Sequence, residues 1–309
     1  MLGAARRRWS AWPPTWRAIA MILVAGVVFS FMSAAIRIAQ ESLHTTEVAF
    51  FRNLFGLVFM LPWLSRKGLS SLRTGKISLH LARASIGLVG MLSSFYAWSI
   101  LPMSDVQALL FTAPLFVTLI APFILKEKVG WRRYGAVVVG LAGVFIAQPV
   151  GVTAVDPAVL LILGASLTFA FNTTIVKTLA RTEPADAIVI YMVLIMTPIS
   201  LVPALFFWQW PSLNGWLAVI AVGGLGTAGH VLITRGFVMA DASFVVLFDY
   251  VRMPYIALIG WVMFGEATSL RTWIGAAVIA AAGVYIARRE ALRAQARSPA
   301  ELASVAPRA

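Results

Sequence analysis

Ten long apolar runs, separated by short polar or turn-forming stretches, make up most of the 309-residue chain. Each run is close to the roughly 20 residues that a helix needs to cross the hydrocarbon core of a bilayer. The stretches between the runs are too short to hold a soluble domain. The pattern therefore predicts an all-α integral membrane protein with ten transmembrane helices. The predicted helices cover residues 18–36, 46–64, 80–98, 104–125, 131–148, 157–177, 186–207, 215–235, 243–264 and 272–287.

The composition agrees with a membrane protein and argues against several soluble classes. The chain is 60% hydrophobic and 12% charged, whereas soluble proteins average about 25% charged residues. The absence of cysteine excludes disulfides, thiolate metal sites and cysteine nucleophiles. The net charge of +13 lies in the breaks between apolar runs and does not form one face. It therefore indicates membrane topology and no nucleic-acid partner.

Motifs of the common enzyme classes are absent from the sequence. There is no phosphate loop ending in Gly-Lys-Ser/Thr, no His-Glu-x-x-His and no Gly-x-Ser-x-Gly. The three histidines, His44, His80 and His230, are too scattered along the chain to indicate a metal site. The sequence thus predicts a protein that is not an enzyme and that uses no cofactor or metal.

Lysine and arginine are concentrated on one side of the predicted bundle. With the N-terminus inside, only Arg37 and Arg271 fall in outer loops, and Arg83 and Lys177 are among the many that fall on the inner side. Cytoplasmic loops of membrane proteins carry an excess of such residues. The distribution predicts a multi-pass protein of an inner (plasma) membrane with both termini in the cytoplasm.

The two halves of the chain repeat each other with a spacing of 140 residues. The matching positions are Phe29 and Phe169, Arg37 and Lys177, Pro114 and Pro254, Gly135 and Gly275 and, one residue out of register, Glu127 and Glu266. Each half holds five predicted helices, an odd number, so the second half must cross the membrane upside down. Inverted repeats around a central site are typical of secondary transporters. The predicted segments are a cytoplasmic N-terminal segment (1–17), a first repeat (18–148), a second repeat (156–287) and a disordered cytoplasmic tail (288–309).

The paired pattern of a proline-containing apolar run that ends in glutamate, followed by a Gly-rich helix, resembles the EamA-type family of the drug/metabolite transporter superfamily. The pattern occurs as Pro114 to Lys126-Glu127 and as Pro254 to Gly265-Glu266. The resemblance covers residues 18–287 and implies ten helices in two inverted repeats around a central cavity. It also implies transport of small metabolites or drug-like solutes. The stretch from Phe248 to Arg252, with Gly260-Trp261, resembles the branch of the family that handles metabolites.

Asp249 and Arg252 are the main candidates for contact with a solute. They lie three residues apart in the predicted ninth helix and so share a face. Charged residues inside a membrane normally face the bundle interior or a water-filled cavity. One hypothesis is that Arg252 binds an anionic group while Asp249 binds a cation or proton; the alternative is an internal ion pair. Tyr250 points off that face, as a packing aromatic or as a further solute contact.

Other polar residues in the apolar runs are weaker candidates. Arg52 and Asn53 either approach the cavity or lie apart from it, with Arg52 paired to Glu47. The partner helix in the second repeat offers Asp186 and Tyr191. Gln107, Asn172 and His230 are each explained by an interhelical hydrogen bond or by contact with the solute.

Several further residues are predicted to shape the fold. Pro114 and Pro254 each free a carbonyl about four residues earlier and act as hinges or as inert kinks. Glu127 and Glu266 end their helices and are predicted to be structural. The small-residue faces at Ala136–Gly140 and Ala276–Ala280 permit close helix packing, and the resemblance places the fifth and tenth helices away from the cavity, as a packing or homodimer face.

The sequence therefore predicts a secondary transporter that works by alternating access, with membrane lipid and a small polar solute as its partners. The central site is predicted to lie between the second, sixth and ninth helices. Two arginines against one acid favour an anionic or zwitterionic metabolite such as an amino acid. The alternatives are a broad-specificity drug exporter, a passive channel and, more remotely, an intramembrane enzyme acting on lipid. Coupling to a proton or another ion and homodimer formation stay open.

Overall fold

The computed structural model describes residues 12–68, 72–124, 130–147, 156–239 and 248–296, and within these ranges all the long regular elements are helices. The helices are α1 (Pro14–Gln40), α2 (Thr45–Lys67), α3 (Ile77–Ile100), α4 (Met103–Leu110), α5 (Ala113–Ile124), α6 (Trp131–Ala147), α7 (Pro157–Leu179), α8 (Ala185–Leu205), α9 (Leu213–Met239), α10 (Arg252–Phe264) and α11 (Leu270–Ala296). Eight helical stretches, with α4 and α5 taken together, are long and apolar enough to cross a membrane. The shorter α6 and α10 complete ten crossings, so the predicted all-helical membrane fold is confirmed.

The last helix is longer than the sequence predicted. Helix α11 continues to Ala296, whereas the prediction ended it at residue 287 and placed the following residues in a disordered tail. That prediction is wrong for residues 288–296, because Arg, Ala, Glu and Leu in this polar stretch are all good helix formers. At the other end of the chain, α1 begins at Pro14, and proline is favoured in the first turn because its missing N–H would have no partner there.

Local signals set the ends of several helices. At the start of α2, the His44 side chain accepts a hydrogen bond from the Thr46 N–H, and the Glu47 carboxylate accepts one from the His44 N–H at 2.8 Å. The Asp156 carboxylate accepts from the Ala158 N–H at 2.8 Å and caps α7. Gly265 ends α10 with a positive φ of 68°, a conformation that glycine adopts without strain. This turn sends Glu266 back toward the bundle.

The fourth and ninth crossings are both interrupted, at counterpart positions of the two repeats. Residues Phe111 and Thr112 form a turn between α4 and α5, and Tyr250 and Val251 form a turn before α10. Both turns lie just before the repeated proline, which removes a backbone donor and frees a carbonyl four residues earlier. At the first turn, the Thr112 and Ser166 hydroxyls donate to the Leu109 carbonyl at 2.7 and 3.3 Å. Such substitutes allow an interrupted helix to persist inside a membrane.

The packing of the halves is pseudo-symmetric. Helix α1 of the first repeat packs on α9 of the second, and α3 packs on α7 in the counterpart contact, while α2 meets α8 and α6 meets α11. The small residues of α6 and α11 face each other within one chain, since a Cβ added to Gly143 would lie 3.0 Å from the Gly275 carbonyl oxygen. Their role in the described fold is close internal packing, and a homodimer face stays a prediction.

Candidate functional site

A cavity of about 310 Å³ lies between the two repeats. This volume falls at the lower end of the roughly 300–1,000 Å³ found for small-molecule sites. The cavity is bounded by α2, α7 and the segment around Asp249, as predicted, but also by α1, α3, α4, α5, α8, α9 and α11. Gly283 and Ile286 of α11 line it, so the implied position of the tenth crossing away from the cavity is wrong. Aromatic rings on its wall are Phe29, Phe95, Trp98, Phe111, Phe169, Phe237 and Tyr250.

Asp249 and Arg252 lie on either side of the turn in the ninth crossing. The Arg252 Nη2 donates to Asp249 Oδ1 at 2.8 Å, and the two side chains are 16% and 28% exposed, respectively. Both line the cavity, and the Arg252 guanidinium also lies 4.7 Å from the centre of the Phe29 ring. The residues thus pair with each other and also face the space that a solute would occupy. The geometry is compatible with both hypotheses from the sequence, contact with the solute and an internal ion pair.

Arg52 points into the cavity and not toward Glu47. Its Nη1 donates to Asn53 Oδ1 at 2.9 Å, and Asn53 in turn donates to the Ser200 hydroxyl at 3.2 Å. Glu47 instead accepts from the backbone N–H groups of His44 and Gln209 at 2.8 and 2.5 Å. The alternative ion pair between Arg52 and Glu47 is therefore not formed. Asn53 is buried behind Arg52 and holds it without being among the lining residues.

Asp186 and Tyr191 of α8, which the sequence offered as possible site residues, form contacts outside the cavity. Asp186 Oδ1 accepts from the Arg235 Nη2 at 2.8 Å, and the Tyr191 hydroxyl donates to the Leu72 carbonyl. Neither Asp186 nor Tyr191 lines the cavity. The end of the bundle that holds the Asp186–Arg235 pair is called the Arg235 end below.

Sequence reasoning missed two basic residues of the site, Arg83 and Lys177. The sequence counted both with the basic residues of the inner side, yet Arg83 is only 3% exposed and both line the cavity. Helix α3 begins at Ile77, three residues earlier than predicted, so Arg83 lies almost two turns inside it. An earlier predicted start of this helix would have placed Arg83 deeper in the membrane and indicated it as a site candidate. Among the described residues, the lining carries four basic side chains, Arg52, Arg83, Lys177 and Arg252, and one acidic side chain, Asp249.

Gln107, Asn172, His230 and Tyr250 all line the cavity. Three of their atoms, Gln107 Oε1, Asn172 Oδ1 and the Tyr250 hydroxyl, are buried and have no hydrogen-bond partner in the described part of the chain. His230 packs edge-on against Phe29 with ring centres 5.3 Å apart. Tyr250 makes the same kind of contact with Phe111 at 4.9 Å, so the two interrupted crossings meet at this point. Tyr250 therefore packs against Phe111 and also lines the cavity, so both alternatives given for it from the sequence stay open.

One end of the bundle is closed by Glu266. Its carboxylate pairs with the Arg37 guanidinium and accepts the Met103 N–H at 2.9 Å, so it joins α1, α4 and α10. The Arg37 guanidinium also lies 5.1 Å from the centre of the Phe264 ring. We call this the Glu266 end. Glu127, the counterpart of Glu266, lies outside the described residues.

Several lining residues differ in exposure between the two ends of the bundle. Lining residues toward the Glu266 end, such as Trp98, Gln107 and Arg52, are buried. Those toward the Arg235 end, such as Lys177 and Phe237, are partly exposed.

The two prolines of the repeat differ in whether they face the cavity. Pro114 lines the cavity, whereas Pro254 lies exposed on the outer surface of the bundle. The hinge assigned to both from the sequence stays a prediction.

Comparison with known proteins agrees with this architecture. The model of the EamA-like transporter family matches residues 16–147 and 156–288, one copy in each repeat. A riboflavin transporter of Vibrio cholerae is 33% identical over 278 residues, covering 87% of this chain and 92% of that protein. A riboflavin transporter of Brucella anthropi is 32% identical and covers 83% and 95%. An S-adenosylmethionine uptake transporter of Rickettsia bellii is 28% identical and covers 79% and 84%.

A crystal structure of a protein with 19% sequence identity covers 88% of this chain and 98% of its own, with a TM-score of 0.65. At that identity the likeness concerns the fold alone. The family match, by contrast, includes both repeats and nearly the whole length of the relatives. The chain is therefore a member of the EamA-like transporter family, in the drug/metabolite transporter superfamily, and a membrane transporter of small solutes.

Proposed function

We propose that this protein transports riboflavin or a closely related flavin by alternating access. The observation that carries the proposal is the chemistry of the cavity wall, where aromatic rings stand beside buried hydrogen-bonding atoms that have no partner. Three relatives that are 31–33% identical to this chain and covered over most of their length are riboflavin transporters. The proposal is narrower than the small-solute transport that the family implies.

The flat flavin ring system and its polyol chain match this wall in shape and in polarity. The ring stacks on aromatic side chains such as Phe111 and Phe169, a contact worth about 0.5–1.5 kcal/mol per pair beyond the area buried. The ring carbonyls accept hydrogen bonds from an arginine such as Arg252. The hydroxyls of the polyol chain donate to Gln107 Oε1 and Asn172 Oδ1. Each of these buried oxygens costs about 1–3 kcal/mol when it lacks a partner, so a ligand that satisfies both gains affinity.

The charge of the lining distinguishes flavins from S-adenosylmethionine. That compound carries a sulfonium, an ammonium and a carboxylate group and so a net positive charge, whereas the described lining residues already include four basic side chains against one carboxylate. Like charges in a site of low dielectric repel strongly. S-adenosylmethionine, the solute named for the Rickettsia relatives, is therefore disfavoured. The same excess supports the second candidate, the anionic or zwitterionic metabolite predicted from the sequence.

The orientation is also part of the proposal. The excess of basic residues in the loops of one side supports an inner-membrane protein with both termini in the cytoplasm. The Arg235 end is then cytoplasmic and the Glu266 end faces outward. The structure would in that case correspond to the state that is open to the cytoplasm.

Counterflow of labelled riboflavin in proteoliposomes tests the function directly. We expect saturable exchange that unlabelled riboflavin inhibits and that S-adenosylmethionine and a mixture of amino acids do not. Saturable exchange of an amino acid without exchange of riboflavin would favour the second candidate and reject the first. Flux that does not saturate and shows no counterflow would indicate a passive channel.

Riboflavin binding to the purified protein, followed by quenching of flavin fluorescence, tests the aromatic wall. Phe169→Ala should weaken binding about tenfold, since loss of one stacking contact is worth about 1.4 kcal/mol. The matched control is Phe145→Ala, because Phe145 is 66% exposed on the outer surface. Equal affinities of the two variants would show that Phe169 does not contact the flavin.

A further inference from the structure

We propose that Arg52 and Arg83 form an anion-binding subsite in the wall of the cavity. Its ligand is a small oxyanion or halide, supplied either as a free inorganic ion or as the acidic group of a solute. The two arginines come from different helices, α2 and α3, and are 2% and 3% exposed. Both line the same cavity of about 310 Å³.

Neither arginine has an acidic partner in the described part of the chain. Arg52 donates to the Asn53 side-chain oxygen at 2.9 Å, and Arg83 donates to the Ile188 carbonyl at 3.2 Å. The Arg83 Nε is buried without any partner. Both acceptors are neutral, so they satisfy hydrogen bonds without cancelling charge. Buried arginines are rare unless they are paired, because removing a charge from water is costly.

The nearby carboxylates are committed elsewhere. Glu47 accepts two backbone N–H groups, and Asp249 pairs with Arg252. Arg52, Arg83 and Arg252 all line the cavity together with His230, so its wall carries an excess of positive charge. Two guanidinium groups with free donors suit a carboxylate or phosphate, whose oxygens accept several hydrogen bonds at once. An anion at this position would supply the missing charge.

The neighbouring helix α9 leaves room for this arrangement. A Cβ added to Gly226 would lie 3.1 Å from the Arg52 Nε, so a larger residue would press on the guanidinium. The side chain of Arg52 is thus held in the cavity wall by Asn53 on one side and by the glycine on the other.

The subsite does not depend on riboflavin being the solute. Riboflavin is neutral, so its transport would leave the subsite to a free inorganic ion. A phosphorylated or carboxylated solute would occupy it with its own acidic group. These two sources give different results in one set of measurements.

The experiment is a thermal-shift titration of the purified protein, in which chloride or inorganic phosphate is added stepwise to a zwitterionic buffer of low ionic strength. An ion that binds only the folded state raises the melting temperature with a saturable dependence on its concentration. We expect a rise of about 5 °C at saturation for the wild type. The rise should disappear in Arg83→Gln and persist in Arg73→Gln, since Arg73 is exposed before the start of α3. Arg52→Gln is the second test variant, should Arg83→Gln fail to fold.

Flavin binding to the same proteins separates the two sources. If inorganic ions have no effect but riboflavin 5′-phosphate binds at least about tenfold more tightly than riboflavin, and Arg83→Gln removes the difference, the anion is the acidic group of the solute. If all ions and both flavins act equally on wild type and on both test variants, the subsite is rejected. The proposed riboflavin transport would survive that result, because it depends on counterflow of riboflavin and not on anions.

Discussion

The two interrupted crossings occupy counterpart positions of the repeats but carry different chemistry. At the first, between α4 and α5, hydroxyl groups of Thr112 and Ser166 satisfy the Leu109 carbonyl. At the second, before α10, Asp249 and Arg252 form an ion pair across the turn. Thr112 and Arg252 are themselves 140 residues apart and thus counterparts. The interruption of the backbone belongs to the repeat, whereas the charged pair was placed in one half only.

The two ends of the bundle differ in the same way. Arg37 pairs with Glu266 and closes the Glu266 end, while its counterpart Lys177 lines the cavity toward the Arg235 end. A pair of inverted repeats with identical surroundings would be equally open at both ends. In the described part of the chain, an ion pair joins α1 to the end of α10 at the Glu266 end, while Lys177 is partly exposed at the other end. Alternating access requires that this asymmetry be reversible.

The largest effect is expected from the charged pair. Asp249→Asn and Arg252→Gln should each lower riboflavin counterflow at least about tenfold, because each leaves the other charge without its partner inside the cavity. Full activity of either variant would show that the pair does not take part in transport. Loss in Asp249→Asn alone, with Arg252→Gln active, would favour the broad-specificity exporter of cations.

A charge swap sharpens this test. The double variant Asp249→Arg with Arg252→Asp restores an ion pair in reversed order. Recovery of counterflow would mean that the residues serve only each other. Continued loss, with the melting temperature restored, would mean that they contact the solute.

The closed end provides the second prediction. Because the chain contains no cysteine, single cysteines report accessibility without further changes. A cysteine at Gln107, which is buried toward the Glu266 end, should react about fivefold faster with an impermeant maleimide in whole cells when Glu266→Gln is added, since removing the ion pair removes roughly 1 kcal/mol from closure. A cysteine at the exposed Glu41 confirms that this end faces outward. An unchanged rate at position 107 would show that the ion pair does not hold this end shut.

The extent of sequence-based prediction follows from which interactions are local. The apolar runs predicted all ten crossings. The prolines predicted a free carbonyl four residues earlier, which lies within two residues of each interruption. Both predictions succeed because they depend only on residues close together in the sequence. Arg83 was missed because it lies near the predicted start of its helix and was counted with the basic residues of the inner side, whereas its burial depends on contacts with other helices such as the one to Ile188. The pairing of Arg37 with Glu266 spans 229 residues and depends on how the repeats pack.

Glycine 283 gives a smaller effect on the contact between the interrupted crossings. A Cβ added there would lie 1.8 Å from the Tyr250 hydroxyl, so Gly283→Ala must push Tyr250 away from Phe111. We expect riboflavin affinity to fall about threefold, at the low end of overpacking because the hydroxyl is the far end of a side chain. Gly135→Ala is the matched control, with no atom within 4 Å of the added Cβ. Adding Tyr250→Phe should restore part of the affinity; no restoration would place the cause elsewhere.

The smallest effect on counterflow is expected from substitution of the two prolines. Comparing the two variants tests whether both interruptions act as hinges. Alanine restores a backbone N–H that can bond four residues back and straighten the helix. At the second interruption the Tyr250 carbonyl already accepts from the Met253 N–H at 3.1 Å, so Pro254→Ala gains little. Pro114 lines the cavity, and Pro114→Ala should therefore slow counterflow about twofold, an effect of roughly 0.5 kcal/mol, with riboflavin affinity unchanged.

The measurement is the initial rate of counterflow for both variants at saturating riboflavin. A slower rate in Pro114→Ala alone would indicate that the interruption in the first repeat moves during transport, and not the one that carries the charged pair. A larger loss of counterflow rate in Pro254→Ala would indicate instead that the interruption in the second repeat moves. The repeat that carries the charged pair would then also be the repeat that moves.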